Sequence, residues 1–225
     1  MFLELLAQGA AQQSPSGVVT AYGSNYLKLS DGHILQWATG TPPTSSTTPT
    51  TSIAYPQAIT GSVSCVLVGT QVPASLQNGS SYNDSNNFYI LESATNTQAN
   101  LFQCALGGGP VLDSNLLPTI LVVGWNGTGA DPGFALLGNQ LLLQWVQGSA
   151  AIQPNAQATL NWPKAFPTSF LTAGVTSVNA SPQSASGVLC VNSGNLTGVT
   201  VGNAYGVSTA ADNQPLTPWV LGIGY

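Results

Sequence analysis

The constraint that decides most about this chain is an internal repetition. Ser30–Gly40 (SDGHILQWATG) and Gly138–Gly148 (GNQLLLQWVQG) align so that Ile34, Leu35, Gln36, Trp37 and Gly40 fall on Leu142, Leu143, Gln144, Trp145 and Gly148, an offset of 108. Ala54–Ser62 (AYPQAITGS) falls on Asn161–Ser169 (NWPKAFPTS) at an offset of 107, pairing Tyr55-Pro56 with Trp162-Pro163. Pro118–Trp125 (PTILVVGW) falls on Pro218–Tyr225 (PWVLGIGY) at an offset of 100. Chance can give one such match in a biased sequence, but not three in the same order at similar spacing. The pattern predicts two tandem copies of one domain, at residues 17–126 and 133–225. Residues 127–132 form the linker, within the turn-forming run NGTGADPG. The falling offset puts longer loops in the first copy, around Gln77–Asn87 or Gly107–Leu117.

Each copy is dense in strand signals. HILQW, VSCVLVG, NFYILES, NLFQCAL and TILVVGW in the first, and LLLQW, QATLNWPKAF, VLCV and WVLGIGY in the second, are short apolar runs bounded by Gly, Pro, Asn or Ser. Helix-period patterning is absent after residue 12. The expected fold is all-β: two tandem antiparallel β-sandwich domains of about 100 residues each. A short N-terminal helix or anchor segment at residues 1–16 precedes them. The low-complexity stretch Thr39–Ser52 (TGTPPTSSTTPTTS) reads as an exposed loop.

Charge removes whole classes of function. The chain has two basic and seven acidic side chains and a net charge of −5; Lys28 and Lys164 are its only cations. Nucleic-acid binding needs clustered Lys and Arg against phosphate, so it is not expected. The Phe2–Leu6 stretch is too short to span a bilayer and lacks a basic flank, so neither membrane insertion nor a secretory signal is expected. A nearly chargeless, apolar-rich surface points instead to burial between subunits. Cys65, Cys104 and Cys190 sit in apolar contexts without metal-type spacing and read as free thiols in a chain folded in a reducing cytoplasm.

The repeated segments resemble the C-terminal tip domain of bacteriophage tail fibres, a lectin-like β-sandwich family. The resemblance rests on LSDGHILQW with Gly40 beyond it, on NWPKAF, and on WVLGIGY ending the chain. It covers residues 24–225 and is closest in the second copy; the first ends in TILVVGW, with Thr119 and Trp125 where the second has Trp219 and Tyr225. It implies a homotrimeric virion protein, made in the host cytoplasm and placed at a tail tip or fibre. It also implies non-catalytic recognition of a bacterial surface glycan or outer-membrane protein. Residues 1–16 would then contact other tail proteins. Two alternatives stay open: a structural or decoration protein that touches only virion neighbours, and a surface-polysaccharide depolymerase.

The candidate residues follow from chemistry. Glycan recognition wants an aromatic face beside planar amides or carboxylates. Tyr82, Asn83, Asp84, Asn86 and Asn87 offer this in one stretch, and Asn203, Tyr205, Asp212 and Asn213 in the corresponding part of the second copy. The plainer reading of both is polar hairpin loops. Gln36, Trp37, Gln144, Trp145, Pro163, Trp219 and Tyr225 are expected to be structural, with the tryptophans as core or interface anchors. No catalytic residue is assigned. His33 is the only histidine and no G-x-S-x-G elbow surrounds a serine. Asp84, Glu92 and Asp113 could converge as a depolymerase pair, but read first as turn and strand residues. Neither a metal nor a cofactor is expected, because His33 has no ligand cluster in the sequence around it.

Overall fold

A computed structural model describes residues 19–45, 47–71, 87–105, 113–137, 141–178, 188–204 and 215–225. Among them every regular element is a strand. The first half contributes β1 (Val19–Gly23), β2 (Tyr26–Leu29), β3 (His33–Thr39), β4 (Thr50–Ala54), β5 (Ser62–Gln71), β6 (Asn87–Ala94), β7 (Gln98–Ala105) and β8 (Leu117–Trp125). The second contributes β9 (Phe134–Leu137), β10 (Leu141–Gln147), β11 (Gln157–Asn161), β12 (Phe170–Val178), β13 (Val188–Gly194), β14 (Gly198–Ala204) and β15 (Thr217–Gly224). The expected N-terminal helix or anchor lies outside the described residues.

The sheets run β1-β2-β3-β8-β5, β4-β7-β6-β12-β15-β10-β9 and β11-β14-β13. All pairings are antiparallel except a single parallel contact, Val178 with Leu91, that joins β12 to β6. Within the first half β2 pairs β3, β3 pairs β8, β8 pairs β5, β4 pairs β7 and β7 pairs β6. Within the second half β9, β10, β15, β12, β11, β14 and β13 make the same pairings in the same order. The irregularities coincide as well. The register slips between Val63 and Cys65 in β5 and between Phe170 and Thr172 in β12. It slips again between Leu91 and Ser93 in β6 and between Val191 and Ser193 in β13.

Three clusters form the core. In the first half Ile34, Val66, Ile120 and Val122 pack against Ile53, Leu91, Ala99 and Leu101 from the facing sheet. In the second half Leu142 and Val220 pack against Leu189, Val199 and Val201. The third cluster joins the halves, bringing Leu27, Leu35, Cys65 and Val123 against Ala135, Leu143, Trp145 and Leu221. Strand β3 is therefore buried on both faces, Ile34 toward its own half and Leu35 toward the other. That explains why HILQW reads as a continuous apolar run rather than an alternating one.

The shared Gln-Trp motif has a backbone role. Gln36 and Gln144 are fully buried. Gln36 Oε1 accepts from the Gln57 amide at 2.8 Å, and Gln144 Oε1 accepts from the Lys164 amide at 2.9 Å. Each glutamine thus satisfies the turn that follows Tyr55-Pro56 or Trp162-Pro163, which has no ladder partner there. Gly148 N donates to Pro218 O, and Gly40 N to Pro118 O, each at 2.8 Å. Gly222 lets the Trp162 ring lie against β15: a Cβ at 222 would sit 2.5 Å from Trp162 Cη2.

Sequence reading missed β2 and β9, which are only four residues long, and β1, β4, β12 and β14, whose Gly, Thr and Ser content masks the alternation. The stretch Thr39–Ser52 is not wholly an exposed loop, because Thr50–Ser52 open β4 and Pro43 and Pro49 are buried. The extra length of the first half lies between β5 and β6 (residues 72–86, against 179–187 between β12 and β13). The β7–β8 and β14–β15 connections, 106–116 and 205–216, are of similar length.

Candidate functional site

On the outer face of the β11-β14-β13 sheet lies a hollow of about 360 Å³, lined by Asn155, Ala156, Gln157, Cys190, Asn192, Gly202 and Asn203. Strand pairing assembles it from distant sequence: Gln157 stands opposite Gly202 on β14, and Cys190 stands opposite Gly202 on the other side. The hollow exists because residue 202 is glycine. Its counterpart by strand register is Phe102, opposite Thr50 on β4. Phe102 is buried with Ile90, Cys104 and Phe88 in an apolar cluster that occupies this place in the first half. At Gly202 an added Cβ would come within 2.7 Å of Asn192 Nδ2.

The lining is a set of neutral amides. Asn192 Nδ2 donates to Gln157 Oε1 at 3.1 Å, and Cys190 Sγ donates to Asn192 Oδ1 at 3.2 Å, so these side chains hold each other in place. Asn203 is buried and donates from Nδ2 to Ile152 O at 2.9 Å, while its backbone carbonyl accepts from the Asn155 amide at 3.1 Å. Asn155 has φ of 60°, a left-handed conformation that asparagine tolerates better than most residues. Among the described residues no charged side chain lines the hollow. Amides both donate and accept, so this surface suits a neutral ligand rich in hydroxyls and disfavours an ion.

A second polar cluster holds the halves together. His33 is buried, its ring 4.5 Å from that of Trp125 and 4.7 Å from that of Trp145. Its Nε2 lies 3.2 Å from Asp131 Oδ1, and its Nδ1 3.0 Å from Asp31 Oδ2, the latter a charge contact without aligned hydrogen-bond geometry. Asp131 also accepts from Gly133 N at 2.8 Å and from Trp145 Nε1 at 2.9 Å. Burial alone would push the His33 pKa down, but the two carboxylates outweigh it and raise it above the usual 6.5. Burial likewise works against the Asp131 charge, yet His33 and the surrounding donors lower its pKa to about 2. A histidine from the first half, an aspartate from residues 127–132 and a tryptophan from the second half thus form one charged knot. Among the described residues no group of three or more His, Cys, Asp or Glu could hold a metal ion.

Residues 136–225 match the family model described as "Putative tail fiber protein gp53-like, C-terminal". This part of the chain is a phage tail-fibre C-terminal domain. The tail-fibre domain contains the whole amide hollow, and it makes the protein a virion component. No curated protein and no solved structure matches the chain.

Of the residues expected to bind ligand, Asn203 lines the hollow of the tail-fibre domain, while Asn87 opens β6 in the other half. Tyr82, Asn83, Asp84, Asn86, Tyr205, Asp212 and Asn213 lie outside the described residues. Sequence reading missed Asn155, Gln157 and Asn192, which only strand pairing brings to Asn203. Of the motif residues, Trp145 is buried and Trp37 half-buried in the cluster between the halves, and Trp219 packs on both that cluster and the first half's core. Pro163 is exposed and covers Gly133. Tyr225 is partly exposed, and its carbonyl accepts from the Thr168 and Ser169 amides. Glu92 lies on β6 and Asp113 is buried before β8, its carboxylate capping the Asn115 amide at 2.8 Å.

Proposed function

We propose that this tail-fibre protein recognises the bacterial host surface without catalysis, and that the amide hollow of its C-terminal domain takes a neutral, hydroxyl-bearing part of a surface glycan. The observation that carries the reading is the hollow itself, a hydrogen-bonded set of amides around Gly202 inside the matched domain. The protein is read as two tandem β-sandwich copies, 17–126 and 133–225, of a lectin-like tip domain. The repeated pairing order and the coincident bulges support that reading. It is further read as a homotrimer at a tail tip or fibre, with residues 1–16 contacting other tail proteins.

The test uses the full chain. Purified protein should adsorb to susceptible cells and block infection. Gly202→Phe, which installs the first half's residue, should abolish adsorption while leaving the circular dichroism spectrum unchanged. A protein that neither adsorbs nor blocks infection would overturn receptor binding in favour of a decoration role. Release of reducing sugar from host polysaccharide would overturn the non-catalytic reading.

A further inference from the structure

The amide hollow is not uniformly polar. A side-chain bridge crosses it: Asn192 on β13 reaches over β14 and donates from Nδ2 to Gln157 Oε1 on β11 at 3.1 Å. Glycine at 202 permits the crossing, since a Cβ there would stand 2.7 Å from Asn192 Nδ2. Beside the bridge lies the Cys190 sulfur, 3.2 Å from Asn192 Oδ1 and 3.6 Å from Gly202 O. Apart from Gly202, Cys190 and Ala156 are the lining residues without a side-chain amide. A thiol behaves as a small hydrophobe with a weak donor, and here Asn192 Oδ1 already accepts from it. The hollow thus sets a small apolar spot against a rim of amides.

The rim still has hydrogen bonds to offer. Asn192 Nδ2 has a second proton, and Gln157 Oε1 a second lone pair. Among the described residues no partner is bonded to Gln157 Nε2 or to the Asn155 side chain, and both residues are exposed. A well-matched ligand accepts from one planar amide, donates to another and lays a small apolar group on Cys190 and Ala156. A bare hydroxyl meets the first two demands and fails the third, because contact with sulfur and methyl removes it from water without a replacement bond. An ammonium or carboxylate fails as well, since among the described residues no charged side chain lines the hollow. An acetamido group meets all three: its carbonyl accepts, its N–H donates and its methyl is apolar. The volume of about 360 Å³ lies near the lower end of the roughly 300–1,000 Å³ found for small-molecule sites, which suits one sugar ring with its substituent.

We propose that the hollow selects an N-acetylated amino sugar. The acetyl methyl lies against Cys190 and Ala156, and the acetamido N–H and carbonyl bond to the amides of Asn155, Gln157 and Asn192. This assignment rests on the glycan reading of the hollow and narrows it to one class of sugar.

The test uses the full chain, with the thiol in the hollow as reporter. N-acetylglucosamine, N-acetylgalactosamine, glucosamine, glucose and galactose are each added before iodoacetamide, and the rate of alkylation at Cys190 is read by peptide mass spectrometry. At least one N-acetylated sugar should give half-maximal protection at a concentration at least tenfold below that of its parent hexose and of glucosamine. Saturation-transfer NMR on the same mixture should show its acetyl methyl protons as those closest to the protein. Equal protection by glucose, galactose or glucosamine would overturn the acetamido assignment and leave the glycan reading standing. Protection by none of the five, in a protein that adsorbs to susceptible cells, would overturn the assignment and leave host recognition standing. A protein that is neither protected nor adsorbed loses both.

Discussion

Replacing Asp131 by Asn tests whether the charged knot around His33 holds the two halves together. The Asn side chain is nearly isosteric and can still accept from Gly133 N or Trp145 Nε1, the two uncharged donors now bound at 2.8 and 2.9 Å. What disappears is the negative charge 3.2 Å from His33 Nε2. A carboxyl pKa lowered from 3.8 to about 2 corresponds to roughly 2 kcal/mol of preference for the charged form. Solvent reaches part of Asp131, which reduces that to about 1 kcal/mol. The buried imidazolium left with Asp31 as its one carboxylate adds about 1 kcal/mol more. The substitution should therefore cost about 1–2 kcal/mol near pH 5, or roughly 2–8 °C in Tm for a chain of this size. The pH dependence carries the stronger test. The His33 pKa is raised on folding, so its contribution is complete below 6.5 and is lost as pH rises through the higher folded value. The Asp131 pKa is lowered, so its contribution is complete above 3.8 and is lost as pH falls toward about 2. The Tm gap between the two proteins should be widest between about pH 4 and 6.5 and should shrink in alkali. Because His33 is the only histidine, its ring proton signals can be followed by NMR without assignment, and its pKa should fall in the variant. A Tm gap that stays constant from pH 4 to 9, or a His33 that titrates identically in both proteins, would refute the reasoning.

Other substitutions probe the packing and the thiols. Gly222→Val drives a side chain into Trp162, 2.5 Å from the Cβ position, and should cost about 1–3 kcal/mol in chemical denaturation. Gln144→Ala leaves the Lys164 amide without its acceptor, now at 2.9 Å, and should destabilise by about 1–3 kcal/mol, with Gln36→Ala behaving alike in the other half. Burial pushes the Cys65 thiol well up and that of Cys104 up to about 12. Iodoacetamide at pH 8 should therefore modify Cys190 alone in the native protein, as read by peptide mass spectrometry, and all three cysteines in denaturant.

The sequence revealed the elements whose burial is continuous. Ile34–Trp37, Leu142–Trp145 and the two terminal strands are apolar on both faces because they lie between their own half and the other, so no alternation had to be recognised. The recurrence of Gln36 and Gln144 was visible as a motif, but its cause was not: a buried amide that completes a turn 21 or 20 residues away leaves no local pattern. Strands such as Gly198–Ala204 (GVTVGNA) were illegible for the opposite reason, since glycines at a sheet's outer face read as turns. Asp131 looked like a linker residue, and nothing in NGTGADPG indicated that a histidine ninety-eight positions earlier would meet it.

The candidate site marks where the two halves differ in chemistry at the same strand register. Residues 102 and 202 occupy the same register, each opposite the first residue of the adjoining strand, Thr50 or Gln157. With Phe at 102, Ile90 and Cys104 close an apolar cluster. With Gly at 202, the same geometry yields a hollow, and Asn192 and Gln157 form its walls in place of Glu92 and Thr50. Filling or emptying one position on a strand therefore converts a closed apolar face into an open polar hollow at the same register. Only one residue of the hollow, Asn203, belonged to a stretch that composition singled out. The rest sit on separate strands and become neighbours through pairing, so the site emerges only at the level of register.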